Sequence, residues 1–99
     1  MAIWEPMSFG EPSRAVLQRL LREVRIAAGL TQAELASRLS QPQSFVSKCE
    51  SGERRVDVIE LRAICEACGL SLREFVRRFE AEIPQGEADA GRSAVSGAT

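Results

Sequence analysis

Residues 31–52 read TQAELASRLSQPQSFVSKCESG, and the way these residues divide between buried and open faces decides the fold. Thr31 and Glu34 stand at the capping-box spacing, in which each side chain accepts from an orphan amide at the start of a helix. Leu35, Ala36 and Leu39 then give a short helix one apolar side. Only Ser40 and Gln41 separate it from a second helical run. That run is expected over about residues 42–50, with Pro42 suited to its first turn and Gly52 to its end. With Gln43 set at zero and about 100° per residue, Ser47, Ser44 and Lys48 fall at roughly 40°, 100° and 140°. Phe45, Cys49 and Val46 occupy the opposite arc, from roughly 200° to 300°. A helix this short is marginal in water by itself, so its apolar arc must dock, and the polar arc is left to face something else.

Upstream, Leu17, Leu20, Leu21 and Val24 recur at the i, i+3, i+4, i+7 spacing of an amphipathic helix. Ser13, after Pro12, is expected to cap that helix, and Gly29 to end it. Downstream, Asp57 and Glu60 form a second capping box, opening a helix with Leu61, Ile64, Cys65 and Cys68 on its apolar side before Gly69. Ser71 and Glu74 form a third, opening a helix with Leu72, Phe75, Val76 and Phe79. Five short helices without a strand signal predict an all-α domain over residues 13–83. Residues 1–12, with two prolines, a glycine and the apolar Trp4, Met7 and Phe9, read as an extended N-terminal arm. Residues 84–99, PQGEADAGRSAVSGAT, are small and polar and are expected to form a disordered C-terminal tail.

A chain of 99 residues allows one small domain. No apolar run approaches the roughly 18 residues of a membrane span, and no leader pattern opens the chain, so a cytoplasmic location is expected. Cys49, Cys65 and Cys68 are odd in number and lack a secretory context, which argues against a disulfide framework. Cys65 and Cys68 form a CxxC, a spacing used for zinc or redox chemistry. Zinc commonly takes four Cys or His ligands, and the chain has no His and one such pair. No metal and no cofactor are expected, and core packing is the simpler role for these thiols. An enzyme is not expected either: no nucleophile–base pair and no phosphate-cradling Gly loop is present. The net charge of −1 is an average over unlike parts. Between residues 13 and 80 stand twelve basic and nine acidic side chains, and elsewhere one basic and five acidic. The helical part is therefore mildly basic, which permits phosphate binding.

Two short helices joined by a tight turn, the second displaying polar side chains, make a helix-turn-helix. Such a unit lays its second helix in the major groove of DNA, about 12 Å wide. Gln can pair with adenine, Lys can donate to guanine, and Ser is tolerant. A solvated helix face would read similarly, although strong helix formers would then be expected where Ser44 and Ser47 stand.

The combination of Gly29-Leu30-Thr31-Gln32 and Glu34-Leu35-Ala36 with Gln43-Ser44-Phe45-Val46-Ser47-Lys48, Glu50 and Gly52 resembles the lambda-repressor-like helix-turn-helix family, the Xre or Cro/repressor type. The likeness runs from about Leu21 to Phe75. It implies an all-α, five-helix DNA-binding domain and a transcriptional regulator, a repressor that acts as a homodimer on a partly palindromic operator in double-stranded DNA. Carried onto this chain, it implies that Gln43, Ser44, Ser47 and Lys48 face the groove, and that Gln32 either meets a phosphate or braces Gln43. Phe45 either touches a sugar or thymine methyl or packs on the neighbouring helix. Arg54 and Arg55 are placed to meet phosphates. Arg25 and Glu50 are implied to pair as a structural brace behind the recognition helix, the alternative being two unrelated surface charges. Ser40 stands where the family often has Gly, and Pro42 where Ser or Thr is usual, which removes one N–H from the phosphate contacts. The apolar face of the last helix, continuing to Ile83, is a candidate dimer surface. A protein-interaction role on the same fold, antitoxin-like or adaptor-like with a toxin-like partner, is the competing expectation.

Overall fold

The computed structural model describes residues 11–83, and all regular structure among them is helical: α1 (Glu11–Ala27), α2 (Gln32–Arg38), α3 (Gln43–Ser51), α4 (Val58–Ala67) and α5 (Leu72–Glu82). The expected arm up to residue 10 and the expected tail from residue 84 lie outside the described residues. The all-α expectation holds, and α2, α4 and α5 each start at a side-chain cap.

Thr31 and Glu34 close a complete capping box on α2, with Glu34 N–H donating to Thr31 Oγ1 at 3.0 Å and Thr31 N–H to Glu34 Oε1 at 2.8 Å. Asp57 and Glu60 do the same for α4. At α5 only half the box forms. Ser71 accepts from Glu74 N–H, but the Glu74 carboxylate takes Arg77 and Arg78 at 2.7–3.0 Å instead of the backbone. A guanidinium one turn along offers charge-assisted bonds, which are stronger than one to a neutral amide. α1 also departs from expectation. It begins at Glu11, and Pro12 and Ser13 lie inside its first turn rather than before it. Proline fits there because first-turn amides have no acceptor within the helix in any case. α3 starts one residue later than expected: Pro42 is its extended N-cap, at φ −68° and ψ 156°, and gives no side-chain cap.

The turns that end α1, α2 and α4 are variants of one device. Leu30 N–H reaches back to Arg25 O, Gln41 N–H to Ala36 O, and Leu70 N–H to Cys65 O, at 2.9–3.2 Å. The residue before each of these donors is left-handed, as Schellman closure requires. Two of the three are glycines; the third is Ser40, at φ 55°. Because Ser40 adopts this conformation without being Gly, the α2–α3 turn keeps its tight geometry at some backbone cost.

The core gathers Val16, Leu20, Leu21 and Val24 of α1 with Leu35, Ala36, Val46, Cys49, Ile64, Cys65 and Phe75. Phe75, 1% exposed, is its largest fully buried side chain. α3 packs on both α1 and α2, while α5 packs on α4 and α1. Arg38 Nη1 donates to Ala67 O at 2.8 Å, tying α2 to the end of α4. Arg19 links α1 to Glu82 of α5. Val76, expected on the apolar side of α5, is exposed. Burial pushes the thiols of Cys49 and Cys68 up and that of Cys65 up to about 11, so all three are weakened as thiolates.

Candidate nucleic-acid interface

Burial of Val46 and Cys49 fixes how α3 is rotated. Gln43, Ser44 and Lys48 consequently stand exposed, and Ser47 is half-buried. The arcs drawn on the wheel thus separate core from surface at Val46, Cys49, Gln43, Ser44 and Lys48, while Phe45 and Ser47 are both half-buried at the margin.

Behind this face runs a chain of polar contacts. Arg25, 8% exposed, is the buried charged residue of the core region. Its guanidinium meets Glu50 twice, Nε to Oε2 at 2.6 Å and Nη2 to Oε1 at 3.0 Å, while Nη1 donates to Leu30 O at 2.8 Å. The fork joins the end of α1 to the end of α3 and to the turn before α2. The hydrogen bonds it donates to Glu50 hold the Arg25 pKa above its ordinary value against the opposing effect of burial. Gln32 Nε2 donates to Glu50 Oε1 at 3.1 Å, and Gln43 Nε2 donates to Gln32 Oε1 at 3.3 Å.

The order of these bonds is dictated by chemistry. A carboxylate paired with arginine can only accept, so Gln32 must turn its NH₂ inward and its carbonyl outward. That carbonyl then takes one N–H of Gln43. Gln43 is left with its carbonyl oxygen and its second N–H for a partner outside the protein.

The loop after α3 is held from both sides. Gly52 closes α3 at φ +89°, and a Cβ there would lie 2.5 Å from Gln18 Nε2 of α1. Arg54 forks onto Glu60 at 2.8 and 2.9 Å, donates to Arg55 O, and lies 4.7 Å above the ring of Phe45. Phe45, half-buried, also packs against the core. The Arg54 guanidinium, with help from the Asp57 N–H, holds the Glu60 carboxyl down at about 2. Much of the charge of Arg54 is therefore engaged within the protein, whereas Arg55 is exposed. Glu60 and Gln18 were missed as partners by sequence reasoning; Glu60 was visible only as a cap, and nothing local marks Gln18.

Among the described residues no group of three or more His, Cys, Asp or Glu side chains could hold a metal ion. No helix of the described residues is long and apolar enough to cross a membrane.

The family described as helix-turn-helix matches residues 21–75. Curated protein sequences give no match. Among solved structures, the chain is similar to an XRE-family like protein from Pseudomonas syringae pv. tomato, at 49% identity and TM-score 0.68, over 73% of this chain and 88% of that one. It is also similar to the clp gene regulator ClgR of Corynebacterium glutamicum in two crystal structures. One gives 26% identity, TM-score 0.65 and coverage of 73% and 92%; the other gives 25%, 0.66 and coverage of 84% and 88%. Since the match takes in all of α2, α3 and α4 with the braced turn between them, the chain belongs to the lambda-repressor-like, XRE-type family of helix-turn-helix DNA-binding regulators.

Proposed function

We propose that the protein is a sequence-specific transcriptional regulator, a repressor that binds a partly palindromic operator as a homodimer with α3 in the major groove. The observation that carries the reading is the fixed polarity of Gln43. With its carbonyl oxygen and one N–H outward, this side chain can accept from adenine N6–H and donate to N7, the bidentate pairing open to glutamine. An amide held by a protein partner loses less freedom on binding than a free one, which favours discrimination over mere attachment.

Ser44 and Lys48 complete the reading face, Lys48 as donor to guanine, with the half-buried Ser47 at its margin. Gln32 serves as the brace of Gln43. Phe45 serves mainly as a packing post, roofed by Arg54. Arg54 shapes the loop, and Arg55 supplies the phosphate contact. Two copies would set their recognition helices about 34 Å apart, one turn of B-DNA. The likeness to a gene regulator of known structure supports a role in transcription.

Selection from randomised duplexes at moderate salt, followed by footprinting, tests this. A preferred sequence with an adenine opposite Gln43 and two half-sites one helical turn apart is expected. Binding that shows no preferred sequence refutes the specific regulator, and a preferred site without a repeat refutes the dimer.

A further inference from the structure

Arg14, Arg22, Arg38, Lys48, Arg55 and Arg73 have side-chain charges without an ion-pair partner among the described residues, and Arg38 is spent on Ala67 O. Two of them, Arg14 and Arg55, meet beside the end of α3. Lys48 lies one turn before Gly52, whose N–H donates to Lys48 O at 3.1 Å. Arg14 and Arg55 line a single open cleft of about 360 Å³ between the first turns of α1 and the loop after α3. Gln18 and Gly52 form part of its wall, and Glu11 lies at the same cleft. Arg54 also borders it, but Glu60 already holds that guanidinium.

Nine residues make α3 about 14 Å long, against a major groove about 12 Å wide. A helix of that length brings its ends close to the phosphate walls, and the cleft is beside one end. Gly52 presents no side chain there, and the Gln18 amide that packs against it can donate.

We propose that Arg14 and Arg55 bind neighbouring backbone phosphates of the same duplex, which makes α1 part of the DNA interface. The proposal rests on the reading that α3 occupies the major groove. It adds a contact from outside the helix-turn-helix, one that positions the protein and carries no sequence information. Glu11 opposes it, so removing its charge strengthens binding.

The test is fluorescence anisotropy of the full chain on its selected site and on a scrambled duplex, from 50 to 200 mM salt, the range over which phosphate contacts separate by about 0.9 in log–log slope each. Arg14→Ala is expected to flatten the slope by about 1 on both duplexes and to leave their affinity ratio unchanged. Arg14→Lys is expected to keep the wild-type slope, and Glu11→Gln to raise affinity on both duplexes. Thermal melts confirm that each variant is folded. An unchanged slope for Arg14→Ala, beside a flattened one for Arg55→Ala, overturns the inference and leaves the proposed function standing. A changed affinity ratio overturns it too, since Arg14 would then read sequence. Wild-type protein that binds neither duplex overturns the proposed function and this inference together.

Discussion

Replacing Glu50 by Gln tests the brace with almost no change of shape. The Arg25 and Glu50 side chains are 10% and 7% exposed, so water can do little for either if its partner fails. Glu50 accepts three hydrogen bonds at 2.6–3.1 Å, two from Arg25 and one from Gln32. An amide offers one oxygen for these three donors and turns an NH₂ toward the others. Breaking a buried ion pair by removing one partner costs about 3–5 kcal/mol, and the oxygen that remains places this variant near the lower end. For a domain of this size, with about 4–8 °C per kcal/mol, the melting temperature falls by at least about 12 °C. Arg25→Met should cost a similar amount. The double variant Arg25→Met/Glu50→Leu, which removes both charges, should unfold within about 2 kcal/mol of wild type, because a buried pair exchanged for apolar residues is often nearly neutral. Urea unfolding of wild type, Glu50→Leu, Arg25→Met and the double variant closes the cycle, with Glu50→Gln measured beside it. Single variants that lose under about 1 kcal/mol, or a double variant that loses the full sum of the two, would refute the reasoning. The same double variant separates folding from reading: it should keep its stability and still lose discrimination at the base opposite Gln43, since Gln32 no longer has a carboxylate to orient it.

Acid should unfold the domain through its low-lying carboxyls. Arg54 holds Glu60 at about 2, and Arg77, then Arg78, hold Glu74 at about 2, against an ordinary value of 4.5. Their contribution is complete above the unfolded value and is lost as pH falls from about 4.5 toward 2, so the urea midpoint should drop across that window. Glu60→Gln and Glu74→Gln should each flatten the drop, and a midpoint that does not change across the window counts against both ion pairs. Ser40→Gly should stabilise by about 0.5 kcal/mol, the relief of a left-handed residue less the entropy that glycine adds to the unfolded chain; a lower urea midpoint would show that the Ser40 side chain contributes something the turn needs. Lys48→Ala should alter the selected sequence, whereas Arg55→Ala should weaken all duplexes alike and flatten the salt slope by about 1. Exchange of those two outcomes would reverse the assignment of base and phosphate contacts.

What could be read in the sequence was local. The boxes at Thr31 and Asp57 lie within four residues and form as written, the second even though Arg54 shares the Glu60 carboxylate. The box at Ser71 was legible only in part, because Arg77 and Arg78 compete for Glu74 from three and four residues away. The start of α1 was misplaced for a similar reason: Pro12 and Ser13 suit the edge of a helix from either side. Gln43, Ser44 and Lys48 could be set on the open arc because Val46 and Cys49 leave α3 one way to dock. The bond from Arg54 to Glu60 spans six residues around a loop, a distance for which no periodic rule exists. The approach of Gln18 to Gly52, and the cleft that Arg14 shares with Arg55, join segments more than thirty residues apart. Such meetings are set by how helices pack, and neither wheel nor cap encodes them.

The contact chain that starts at Arg25 ends at a side chain replaceable without disturbing the rest. Gln43 is the terminal link: it donates to Gln32 and accepts from none of the buried members. Exchanging it for another residue removes one bond of 3.3 Å at the surface and leaves the Arg25–Glu50 fork and its tie to Gln32 in place. Recognition can therefore drift in evolution, or be rewritten by design, by substitution at position 43 on an unaltered chassis. Substitutions deeper in the chain would be purged first for what they do to folding.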